Sequence, residues 1–185
     1  MPGTSAAEIV VAAGKNVWTA PVGTAAPATA VAVPAAAWKD LGHVNEDGIQ
    51  LEAGGTTEDV PAWTAATPVR VILTAREFNI SFNLLQWNTL TMQVAFGGGA
   101  QTGAGPYTYT FPADNDVLPE YAMLIDWVDG TNRDARLVIP RVVRTDNVSA
   151  NLIRTAPAAL AVAFKKLASA PAFIMSADPA FAATP

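Results

Sequence analysis

Apolar residues recur at every second position along several stretches of this chain, and that two-residue period predicts strands. Val69, Val71 and Leu73 share one face, and Phe78, Ile80, Phe82 and Leu84 share a face from which Glu77, Asn79, Ser81 and Asn83 point away. Two strands are expected there. Asn16 to Ala20 reads as an early strand ended by Pro21, which has no N–H to give to a ladder. The apolar runs Tyr121–Trp127 and Arg136–Ile139 flank Asp129-Gly130 and predict a hairpin, with Thr131 to Asp134 making its loop longer than a minimal turn. Val142 to Ile153 continues as a strand or two, and Tyr107–Phe111 and Phe173–Ser176 read as short ones.

Two segments fit more than one period. Leu90, Met92, Val94 and Phe96 alternate like a strand, yet Asn88 could cap a helix that Gly97 closes. In Pro157 to Leu167 both strand alternation and the helical spacing of Leu160, Phe164 and Leu167 are present. The remainder reads as connections: an N-terminal arm over 1–13, an extended Ala/Pro/Thr/Val-rich linker over 24–37 with prolines at 27 and 34, and a flexible stretch over 97–106. Leu41 to Pro61 carries turn signals and much of the local charge, and is expected to be a long loop with a short strand around Ile49–Leu51. There is no internal repeat.

A chain of 185 residues is long enough for one domain with a substantial core. It is 51% hydrophobic and only 15% charged, against roughly 25% in ordinary soluble domains. Much of its surface must therefore be neutral, or covered by other copies. The absence of cysteine excludes disulfides, thiolate chemistry and cysteine-ligated zinc. No apolar run is long enough to cross a bilayer, and the N-terminus lacks a secretion pattern. A formal charge of −5 argues against gripping nucleic acid, because phosphate affinity comes mainly from Lys and Arg.

Candidate chemistry is sparse. His43 stands near Glu46 and Asp47, but with no second His and no Cys a zinc site is not expected. Asp114-Asn115-Asp116 lacks the glycine and closing Glu of a calcium loop, and the glycines from Gly97 to Gly105 lack the Gly-Lys-Ser/Thr of a phosphate cradle. No serine lies in a Gly-x-Ser-x-Gly setting. Arg133, Arg136, Arg141, Arg144, Arg154 and Lys165-Lys166 form the basic clustering and are expected to pair with carboxylates at subunit contacts. Neither an enzyme nor a cofactor is expected.

Three stretches together carry a family pattern: Val17-Trp18-Thr19-Ala20-Pro21-Val22-Gly23-Thr24, then Asp40-Leu41-Gly42-His43-Val44-Asn45-Glu46-Asp47-Gly48, then Pro61-Ala62-Trp63 leading to Val69-Arg70. With Asp126 to Gly130 and Arg136 to Arg141 downstream, the chain resembles the major tail proteins of long-tailed, non-contractile bacteriophages. The resemblance implies a mainly β, sandwich or barrel-like tail-tube fold with long loops and one short flanking helix, which places a helix at Asn88–Gly97. It implies a single tail-tube domain over 1–185 without the C-terminal immunoglobulin-like domain of some members. It further implies hexameric rings stacking into a tube inside the virion tail, assembled in the host cytoplasm. Expected partners are other copies, a tape measure protein, and tail terminator and distal tail proteins, with DNA passing through the lumen.

Within that frame the 41–61 loop is expected to touch a neighbouring ring or subunit, with His43, Glu46, Asp47, Glu52, Glu58 and Asp59 as contact candidates. Glu77, Asn79, Ser81 and Asn83 are the candidates for the lumen face, where sixfold repetition of Glu77 would make a ring of negative charge. The five Trp residues keep a carbohydrate- or cell-surface-binding β-module as the alternative.

Overall fold

The computed structural model describes residues 9–130, 133–145, 147–178 and 181. Most of the expected N-terminal arm and the centre of the 129–133 hairpin loop lie outside them. The chain is mainly β, with antiparallel pairing throughout. Its strands are β1 (Ala13–Pro21), β2 (Lys39–Asp40), β3 (Val44–Ala62), β4 (Ala65–Leu84), β5 (Ala100–Thr102), β6 (Thr108–Thr110), β7 (Glu120–Val128), β8 (Asp134–Arg144), β9 (Ser149–Ala150), β10 (Leu160–Lys166) and β11 (Phe173–Ser176), and one helix, α1 (Thr89–Phe96), follows β4. The main sheet runs β2-β1-β7-β8-β10-β4-β3, with β11 on β8 and β9 on β10, while β5 and β6 pair separately.

The sheet curls around one principal core. Val17 of β1, Met123 and Ile125 of β7, Ile139 and Val142 of β8, Phe164 of β10 and Ile80 of β4 are all buried in it. Val44 and Ile49 at the opposite sheet edge also pack on it, so both edge regions meet around the same apolar centre and the fold is sandwich-like. The proline in β8 has a geometric role. Tyr121 faces Val142 and Met123 faces Ile139, so Pro140 and Arg141 stand opposite the single residue Ala122 in a bulge, a setting that tolerates a missing N–H. Across that bulge β8 exchanges partners, pairing through Ala135–Val138 with β11 and through Val142–Arg144 with β10.

A second apolar cluster lies on the other sheet face, where Trp38 packs with Ala20, Ala122, Leu124 and Val138. The 24–37 segment contains neither helix nor strand, as expected, but it is tied down. Trp38 Nε1 donates to Ala25 O at 3.1 Å, and Arg136 Nη1 donates to Thr29 O at 3.1 Å and Ala32 O at 2.8 Å. Arg136 is itself buried and forms a bidentate pair with Asp126 at 2.6 and 2.8 Å. Trp18 Nε1 adds a hydrogen bond to the same carboxylate at 3.0 Å.

Several sequence expectations change. The long loop over 41–61 is instead most of β3, which pairs with β4 from Val44 to Ala62. The two strands over 69–84 are one, β4, and the flexible 97–106 stretch holds β5. Val142 to Ile153 contributes the end of β8 and the two-residue β9, and 157–167 resolves as the strand β10.

At α1 the caps override the two-residue period. Asn88 Oδ1 accepts from Thr91 N at 3.0 Å while Asn88 N donates to Thr91 Oγ1 at 2.9 Å, and Gly97 closes the helix at φ 76°. The buried positions Thr91, Val94 and Ala95 then fall on one side of the helix. Asn88→Ala should cost about 1 kcal/mol, read from the midpoint of urea unfolding. An unchanged midpoint would mean that packing alone holds α1.

Candidate assembly interface

The hairpin β3–β4 turns through Trp63 and Thr64, with Ala62 opposite Ala65. Its base belongs to the body, since Phe82 and Ile80 are buried there and lie opposite Ile49 and Leu51. Beyond Gly54 on β3 and before Glu77 on β4 almost every residue is exposed, including Trp63 at the turn. At about 3.4 Å per residue this outer part stands roughly 30 Å beyond the body as an arm. Among the described residues β3 pairs with β4 alone, so its other edge carries no strand partner. An isolated two-stranded hairpin is marginally stable in water, and an open edge invites pairing. The arm is therefore built to be covered.

One face of the arm is apolar well past the core. Val69, Val71 and Leu73 are 60%, 58% and 45% exposed. At the arm's root a groove of about 980 Å³ runs between Leu73 and Phe78 on one side and Leu167, Phe173 and Ile174 on the other. Sequence reading missed this surface because it took β3 for a loop. The available signal was the exposed apolar set Val69, Val71, Ile72 and Leu73 that follows Trp63-Thr64.

The six contact candidates are strung along β3 rather than gathered. His43 precedes the strand and is exposed, its carbonyl accepting from Leu85 N at 2.9 Å. Glu46 and Asp47 lie where the ladder slips between Val44 and Ile49, and Asn45 Nδ2 donates to Asp47. Glu52 is opposite Asn79, Glu58 opposite Ile72 and Asp59 opposite Val71. From His43 to Asp59 the strand rise amounts to roughly 50 Å, and among the described residues no group of His, Asp and Glu could hold a metal ion. Carboxylates spaced along an open edge discourage indiscriminate strand pairing.

Glu77, Asn79, Ser81 and Asn83 do share a face of β4, turned away from the buried Ile80, Phe82 and Leu84. Asn79 lies between Glu52 and Lys165, Ser81 between Gln50 and Ala163, and Asn83 is opposite Ala161. Lys165 Nζ lies 2.5 Å from Glu77 Oε1, which largely cancels the charge of that carboxylate within the subunit. The result is a polar surface that carries one ion pair and the Glu52 carboxylate.

The basic residues are mostly satisfied inside the chain. Arg141 pairs with Glu120 at 2.7 and 2.8 Å, and the hydrogen bond from its guanidinium holds the Glu120 carboxyl below its ordinary value. Arg133 reaches Asp129 and Asp178. Asp116 closes a local turn with Ala113, not a calcium loop. The Trp residues form no common platform, with Trp18 and Trp38 in the second cluster, Trp127 against the first, Trp63 on the arm and Trp87 bonded to Ala158 O. No helix among the described residues is long and apolar enough to cross a membrane.

The geometry thus offers an extended arm, an open sheet edge and a polar face, which suit self-association. No curated protein matches the chain. A family model described as "Phage tail tube protein" matches residues 2–179. With nearly its whole length matched, the chain belongs to the phage tail tube protein family and is a structural component of the virion tail.

Proposed function

We propose that this subunit polymerises as hexameric rings stacked into the tail tube of a long-tailed, non-contractile phage, and that DNA leaves the capsid through the lumen. The observation that carries this reading is the β3–β4 arm, exposed on both faces and open at its edge in a chain of a tube-forming family. On its two faces and two edges, a hairpin of that length offers on the order of 800 Å², as much as one partner buries in a standard interface. The arm, with Glu58 and Asp59, meets an adjacent copy in the same or the next ring, and His43, Glu46, Asp47 and Glu52 border that contact at its base. The 1–185 chain acts as one tail-tube domain, assembled in the host cytoplasm on a distal tail complex, around a tape measure protein, and closed by a terminator.

The Glu77, Asn79, Ser81 and Asn83 face lines the lumen in this reading. With Lys165 held by Glu77 and Glu52 beside Asn79, the face offers phosphates no excess of positive charge, which favours passage without sticking. Glu77→Gln would leave the Lys165 ammonium uncompensated, so ejection should slow more at low salt than at high salt. A tube map with Glu77 on the outer wall would refute the lumen assignment. The proposal as a whole is tested by negative-stain imaging of the purified subunit with and without a tail-tip complex. Rings or tubes are expected, and a species that stays monomeric under both conditions overturns it.

A further inference from the structure

The apolar positions of β4 change parity along the strand. Val69, Val71 and Leu73 are odd-numbered, whereas Phe78, Ile80, Phe82 and Leu84 are even-numbered. In a regular strand these two sets would point to opposite faces. The ladder prevents that, because Thr56 is opposite Ala75 while the next residue, Thr57, is opposite Leu73. Thr74 is thus an extra residue on β4, a bulge held by a 2.9 Å hydrogen bond from Thr74 Oγ1 to Thr56 O. Outward of the bulge Leu73 and Val71 lie on the same face as Phe78 and Ile80. Gly55 supports this independently, since a Cβ there would come within 2.8 Å of Leu73 Cδ1, which puts the leucine on the Gly55 side of the hairpin. Gly55 in turn is opposite Arg76, which shares the face of Phe78. The same Cβ would lie 2.8 Å from Ala75 O, so the position next to the bulge requires glycine for space.

We infer that the bulge at Thr74 sets which face of the arm meets a second copy of this chain, by aligning the outer valines and Leu73 with the apolar face of the body. This rests on the tube reading proposed above, which supplies the partner, and the interface-sized area of the arm is what requires one. The aligned face runs from the core, past the groove at the arm's root and Arg76, to the outer arm, where Asp59 lies opposite Val71. A regular strand would instead put Arg70 and Ile72 on that side and turn Val69, Val71 and Leu73 away from it.

The test counts residues on the two strands. Inserting one Ser between Thr56 and Thr57 gives Thr74 a partner, removes the bulge and turns the outer arm over, so tubes should be lost. Deleting Thr74 alone also removes the bulge but keeps Leu73 on the core side, so tubes should persist. Combining the insertion with the deletion moves the extra residue to β3 and restores the original facing, so tubes should return. Each variant is checked by circular dichroism and thermal unfolding for an intact body, and by sedimentation and electron microscopy for tubes. Tubes from the insertion variant, no tubes from the Thr74 deletion, or no rescue in the combination would each overturn the inference. A parent chain that forms no tubes refutes the tube reading and this inference with it, whereas a parent that does so isolates the bulge as the variable.

Discussion

Replacing residues 54–77 with an Asn-Gly turn is expected to give a folded subunit that no longer polymerises. Ala53 and Phe78 are directly opposite each other, and Asn-Gly is a favoured two-residue connection between paired strands. The excised part contributes no residue to either buried cluster, so thermal unfolding should shift little while sedimentation shows complete loss of tubes. Loss of the cooperative transition would mean that the arm is part of the fold, and persistent tubes would mean that it is not the interface. Removing only Gly54 to Asp59 is a poorer test, because it leaves Val71 to Glu77 of β4 without their ladder partners.

Arg136→Ala is expected to destabilise the subunit by about 3–5 kcal/mol, because it strands a buried carboxylate. Asp126 would lose both guanidinium bonds and keep only the one from Trp18. Thr29 O and Ala32 O would lose the guanidinium that ties them to the sheet, so the 24–37 segment should become a preferred site of proteolysis. The double change Asp126→Leu with Arg136→Met removes both charges and should recover much of the stability, though not the protection of 24–37. Urea unfolding and limited proteolysis separate the two effects. A single Arg136→Ala variant that unfolds like the parent would show that water reaches the pair freely.

The body of the fold was legible where burial imposes alternation. Met123 and Ile125, Leu137 and Ile139, and Ile80 to Leu84 all line the core on the expected period. The β3 half of the arm was not, since residues 54 to 61 carry no apolar alternation that would record a difference between two faces. Glycines at 54 and 55 and acids at 46, 47, 52, 58 and 59 then read as loop chemistry, although they occupy ladder positions or bulges of a strand. The parity change between Leu73 and Phe78 looked like a break between two strands because a bulge is invisible to a period count. α1 was decided by Asn88 and Gly97 and by family resemblance, against its own alternation. The clip on 24–37 had no sequence signal, as it joins Arg136 to carbonyls more than a hundred positions away.

The arm's lack of tertiary support also bears on the kinetics of growth. Two free subunits that meet must each order an arm held only by its own cross-strand bonds, whereas a subunit landing on an existing tube orders its arm against a surface already fixed. Conformational entropy therefore weighs more heavily on initiation than on elongation. Growth in vitro should show a lag that seeds abolish, and a concentrated stock of subunits should keep without precipitating until a template is supplied.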